Sequence, residues 1–235
     1  MKNFVIEDDF WGLFPNAKIG VVICHGIDNT IGNNEGYIDM ILKAEKEALK
    51  YLQNEEFSNN EVIKIWRASF QKFKTKKGAR SSIEALLKRI DKGDHIGNIN
   101  PLVDIYNSIS LRYALPCGGE DIDKFNGDIR LTKAIGDEDF VPLGTDKNSS
   151  PYEGEVVYKD NAGAICRCWN WRESLRTMLT ENTNNAFLCI ELTDEKRQVE
   201  FDDALKELET LVKNNLGGET QISILDANNK NVQID

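Results

Sequence analysis

The chain changes character at Pro116. Before it, apolar residues recur mainly at helical spacing. After it come short β-branched runs broken by Gly and Asp, then one long amphipathic helix and a last strand. Helices and strands segregated in this way argue against an alternating, parallel-wound sheet and predict an α+β fold. In the first half, 17–27 ("AKIGVVICHGI") reads as a buried strand. Residues 33–57 read as a helix with Ile38, Ile41, Leu42, Leu49 and Leu52 on one side. Residues 61–70 ("EVIKIWRASF") read as a strand. A capping box, Ser81 with Glu84, opens a helix that Gly93 stops, and a second helix begins with Pro101 in its first turn and ends before Pro116. In the second half, strands are expected at 128–134, 140–144, 154–160, 162–171, 186–192 and 220–226, with a helix over 199–218. No repeat or low-complexity linker interrupts the 235 residues, which are read as one domain, 1–235.

Charge narrows the choice of partner. The net charge is −10, yet residues 64–92 hold ten Lys or Arg against Glu84 and Asp91. That tract carries about +8 and the remainder about −18. An acidic body does not coat nucleic acid non-specifically. The tract, with Lys72, Lys74, Lys76, Lys77 and Arg80 at its centre, reads either as a local RNA-docking patch or as a solvated helix face and loop. No apolar run approaches a membrane span, and "MKNFVIEDDFWGLFPNAK" has acids where a signal peptide has its apolar core, so a cytoplasmic protein is expected. The five cysteines are scattered, and Cys166-x-Cys168 is too tight for a structural zinc site, so neither metal nor cofactor is expected. No serine-hydrolase elbow, P-loop or dinucleotide fingerprint occurs.

Three stretches carry candidate chemistry. Asn100, Asp104 and Asn107 share one face of the helix before Pro116, and form either a pocket wall or a buried network tying helix to loops. "PCGGED" brings Gly118 and Gly119 before Glu120 and Asp121. It is either a turn or a loop whose backbone N–H groups cradle an oxyanion. "CRCWNWRES" reads as a strand with Trp169 and Trp171 on one face and Asn170 and Arg172 beside them. Its rings either wall a pocket or fill the core.

Taken together, "VDIYN" with Asp104 and Asn107, the small-residue loop ending at Asp121, "DKFNGDIRL" and "GEVVYKDNAGAICRCWNWRES" resemble the editing module of bacterial phenylalanyl-tRNA synthetase β subunits, its B-three and B-four domains. The likeness runs from about Trp66 to Glu191 and is nearer still to free-standing copies of that module, which share the Trp-Asn-Trp-Arg stretch. It implies a β-β-α layered sandwich with a pocket between its sheets, and hydrolysis of the ester of a wrongly attached amino acid on tRNA. The implied partners are aminoacylated tRNA and, secondarily, an aminoacyl-tRNA synthetase, with neither membrane nor DNA. The synthetase modules carry a ligand-contacting His where this chain has Gly118, so the likeness extends neither to that residue's role nor to tyrosine specificity.

Ester hydrolysis needs oxyanion donors and a positioned water. Gly118 and Gly119 are the candidate donors; Asn107, Asn170, Thr177 and Thr180 are candidates to orient the water. Asn100, Asp104, Glu120, Asp121, Trp169, Trp171 and Arg172 are the candidate substrate contacts. No side chain stands out as a general base, which leaves open a ribose hydroxyl of the tRNA in that role. It also leaves open a non-catalytic module that binds an amino acid or RNA, and a small-molecule enzyme that reuses the pocket.

Overall fold

A computed structural model describes residues 1–235. In chain order the elements are β1 (Asn3–Ile6), α1 (Asp8–Leu13), β2 (Lys18–His25), α2 (Glu35–Ala48), α3 (Glu61–Phe70), α4 (Ser82–Asp91), α5 (Pro101–Tyr113), β3 (Cys117–Asp121), β4 (Ile129–Lys133), β5 (Val156–Asp160), β6 (Gly163–Arg167), β7 (Arg172–Glu173), β8 (Ala186–Leu192), α6 (Gln198–Leu216), β9 (Glu219–Leu225) and β10 (Asn231–Gln233).

Two sheets and a helical layer result, the α+β order expected. One sheet runs β10-β1-β4-β5-β6-β7 and the other β3-β8-β2-β9. Every pairing is antiparallel except β1 with β4. Strand β8 shows why the layers stack. Its side chains alternate between faces, and both faces are apolar: Phe187 and Cys189 join the core between the sheets, while Leu188 and Ile190 join the core beneath the helices. There Ile105 and Ile109 of α5 meet Phe201, Leu205 and Leu208 of α6. Helix α6 comes so close to β2 that a Cβ at Gly20 would overlap the Leu205 side chain.

The helix signals hold. Ser81 Oγ accepts from Glu84 N at 3.2 Å, and Asn100 Oδ1 accepts from Val103 N at 3.1 Å. Ala114 leaves α5 in the left-handed region, φ +46°.

Several segments differ from expectation. Residues 61–70 form helix α3, not a strand: Val62, Ile63, Trp66, Ser69 and Phe70 are buried, a helical stripe that β-branched Val62, Ile63 and Ile65 disguise. In α2 the buried positions are Ile41, Ala44, Glu45 and Ala48; Ile38, Leu42 and Leu49 lie on the surface. Residues 140–144 make only an isolated bridge, Pro142 to Ser174. Gly118 and Gly119 sit in strand β3 rather than a loop. The strand through the tryptophans stops at Arg167, because Cys168 and Trp169 adopt φ of +48° and +65° and turn the chain into β7. The two indoles therefore separate. Trp169 is fully buried, with ring centroids 4.6 Å from Phe14 and 5.2 Å from both Phe10 and Trp66, while Trp171 stays half-buried.

Candidate functional site

A narrow cleft opens between the two sheets. Its walls are apolar: Ile129, Ile165 and Phe187, with the thiols Cys117, Cys166 and Cys189. Three carboxyls break this surface. Glu120 comes from β3, Glu173 from β7 and Glu191 from β8.

Glu191 is the best-held of the three. Tyr158 Oη donates to its Oε1 at 2.6 Å and Asn170 Nδ2 donates to its Oε2. Asn170 in turn accepts from the backbone N of Ser82, at the start of α4, at 3.1 Å. Burial still raises Glu191 to about 7, against those hydrogen bonds. Burial also raises Glu173 to about 7. Its Oε1 lies 3.8 Å from where a Cβ on Gly118 would be, so the missing side chain leaves this carboxyl open to the cleft. Glu120 is held well above the usual carboxylate range, first by burial and then by the charge of Glu173. Its Oε2 has no partner, and neither does Ser82 Oγ. Burial pushes all three cleft thiols up as well, so they are protonated and poor nucleophiles.

Five candidate residues meet here: Gly118, Gly119, Glu120, Trp169 and Asn170. The two glycines differ in what they offer. Glu191 N donates to Pro116 O and Ile122 N to Asn185 O. In an antiparallel ladder the bonded pairs alternate, so Gly118, opposite Cys189, turns its N–H into the ladder. Gly119 turns its N–H the other way, in the plane of the sheet, toward the stretch 177–179 that bridges the outer edge of β3 at Met178. It has no room for a side chain, because a Cβ would sit 2.7 Å from Leu188 Cδ2 and 2.8 Å from Leu179 Cδ1.

The other candidates lie outside the cleft. Asn100 and Asp104 are structural. Asn29 Nδ2 donates to Asn100 Oδ1 at 3.2 Å, Asn100 Nδ2 donates to Leu179 O at 3.3 Å, and Asp104 accepts from Asn98 Nδ2 and from Ile99 N. Asn107 is half-buried on α5 and does not reach the cleft. Asp121 accepts from Asp123 N and Thr183 Oγ1. Thr177 is buried, with its carbonyl accepting from Asp121 N, and Thr180 Oγ1 accepts from Asn182 N. Trp171 and Arg172 face away from the cleft into a neighbouring surface groove, the guanidinium 5.0 Å above the ring. The basic tract is divided too. Lys76 Nζ donates to Ser149 Oγ and Lys72 lies over Phe14, whereas Lys74, Lys77 and Arg80 are exposed.

Glu173 and Glu191 were not among the sequence candidates. Glu191 had a legible signal, a lone acid inside the apolar run "AFLCIEL". Glu173 had none, because its place follows from the turn at Cys168 and Trp169.

Residues 64–212 match the family model of the B3/4 domain; the chain belongs to that family. The phenylalanine–tRNA ligase beta subunit of Mycoplasmoides gallisepticum is 35% identical over 95 residues, which is 40% of this chain and 12% of that protein. Among solved structures, an N-terminal fragment of the phenylalanyl-tRNA synthetase beta-subunit from Pyrococcus horikoshii aligns with 93% of this chain and 49% of its own, at a TM-score of 0.45 and 13% identity. The chain thus spans well under two thirds of either relative. No helix is long and apolar enough to cross a membrane.

Proposed function

We propose that the chain hydrolyses the ester of a mischarged aminoacyl-tRNA in trans, with the amino acid seated in the inter-sheet cleft. The observation that carries this reading is the Glu120–Glu173 pair beside Gly118, in a chain of the B3/4 domain family. A carboxyl near 7 suits a general base at neutral pH. Glu173 takes a proton from water as the water oxygen bonds to the ester carbon. The carbonyl oxygen becomes an oxyanion that the Ser82 hydroxyl stabilises; the Gly119 N–H, turned toward residues 177–179, takes no part. When the ester bond breaks, neutral Glu120 protonates the departing ribose oxygen, and the proton on Glu173 then restores Glu120. Asn170 holds Glu191 in place, and the buried Trp169 supports the wall. Asn107, Thr177 and Thr180 have no part in this scheme, and Lys74, Lys77 and Arg80 remain available to tRNA.

The test is loss of the ester from a panel of mischarged tRNAs with purified protein. For a susceptible tRNA, the rate should rise with pH to a plateau above about 7. Glu173→Gln should fall by roughly 10²–10⁴ and lose that rise. If no tRNA in the panel loses its ester faster than in buffer, the hydrolytic reading is wrong. A second reading has one observation in its favour: the protonated thiols leave the cleft without a nucleophile. On that reading the module binds an amino acid without turning it over, and the panel separates the two.

A further inference from the structure

The surface groove beside the cleft is lined by Gly78, Arg80, Ala85, Arg89, Lys92, Trp171 and Arg172. Lys88 also borders it but is engaged, 2.8 Å from Asp91 and 4.3 Å over Phe57. Arg80, Arg89, Lys92 and Arg172 pair with no carboxylate and are all exposed, and Asp94 is the only acid on the groove wall. Four cations without a carboxylate partner gather here on a protein of net charge −10, and only Arg172 has a neighbour within the fold, the Trp171 ring.

The groove and the cleft are separated by one thin wall. Ser82 and Asn170, joined by their 3.1 Å hydrogen bond, line the cleft, while their chain neighbours Arg80, Trp171 and Arg172 line the groove. Next along the chain, Glu173 returns to the cleft. A ligand lying in the groove would therefore lie across this wall from the carboxyls.

We infer that this groove docks the single-stranded 3′ end of an RNA. Its phosphates would meet Arg80, Arg89 and Lys92, and a base would stack on the Arg172–Trp171 pair. Phosphate needs the cations, and a base needs a flat π or guanidinium face; both are present within one channel. The inference rests on the proposed tRNA reading but shifts the contact surface. The RNA runs along α4 and β7, and Lys72 and Lys76 take no part because each is already engaged within the fold.

The experiment uses uncharged tRNA, with and without its single-stranded 3′ end, in a binding titration over a salt series. Arg89→Glu/Lys92→Glu is compared with Lys43→Glu/Lys46→Glu, an equal charge change on exposed residues of α2. Wild type should bind the intact tRNA at least tenfold more tightly than the truncated one. The groove variant should lose at least tenfold and reduce the salt slope by about 1.4, two single-strand phosphates at ~0.7 each. The α2 variant should lose much less. Equal losses in the two variants, or equal affinity for the two RNAs, would overturn the groove. Because no ester is present, groove binding without turnover in the panel would refute hydrolysis alone. Turnover with equal losses would refute the groove alone. Arg172→Gln, an exposed change at the stacking pair, should weaken the intact tRNA and leave the truncated one unaffected.

Discussion

Asn170 joins three parts of the molecule through one amide: α4 through Ser82 N, β8 through Glu191, and the turn that aims Trp169 inward. Several carboxyls, two of them beside it, keep protons they would give up in an unfolded chain. Glu173 and Glu191 hold theirs to about 7, and burial holds that of Asp104 to about 6, whereas ordinary glutamate releases its proton near about 4.3. Between those values the folded chain binds more protons than the unfolded one, so stability falls as pH rises. Melting temperature should drop from pH 5 to pH 7.5, and Glu120, which keeps its proton longer, extends the decline rather than ending it. Glu191→Gln should make the drop shallower. A melting temperature that climbs steadily over the same range would mean that these carboxyls are ionised in the folded state at pH 5.

Among the elements, β6 and its turn depend on an ion pair sealed inside the protein. Arg167 Nη2 lies 2.6 Å from Glu155 Oε1, with side chains 2% and 0% exposed, and Arg167 also donates to Ser149 O. Removing one partner leaves a buried charge with no counter-ion, which costs about 3–5 kcal/mol. Arg167→Met should show that loss in urea unfolding, and Arg167→Met/Glu155→Leu should recover most of it. A single variant as stable as wild type would mean that water reaches Glu155. This turn also marks where sequence reading stops. Strands β2 and β8 were legible because Val and Ile runs announce burial, and α4 and α5 because their caps are local. Strand β3 was not, since "CGGED" has no strand-forming side chain and is a strand only through its register with β8, some seventy residues on. The cleft was half legible for the same reason. Its glycines, Trp169 and Asn170 stood out as residue types, but Glu173 is placed by two left-handed residues that favour no particular reading in sequence. The polar stripe Asn100–Asp104–Asn107 was legible as a feature, and its network alternative is the one that fits Asn100 and Asp104.

At the scale of the whole molecule, two cores share the β3-β8-β2-β9 sheet. Gly20 is where α6 presses closest. Its opposite number Leu205 is itself buried, 2% exposed. Gly20→Val should lift α6 from β2 and destabilise the protein by about 1–3 kcal/mol, the range for overpacked cores. Gly12→Val, at a glycine whose Cβ would meet nothing within 4 Å, is the control in the same denaturation series. Equal stability of the two would show that α6 moves without cost.

The parallel pair β1–β4 has a consequence for how the protein is made. Strand β1 lies between β4 and β10, so the earliest of these ten strands in chain order is an interior one. Phe4 must wait for Ile129 on one side and for Val232 on the other. Until both partners are synthesised, β1 offers two open backbone edges in a growing chain, the kind of surface that nascent proteins hand to chaperones. Closure of this sheet is therefore a late event, governed by contacts far apart in sequence and correspondingly slow.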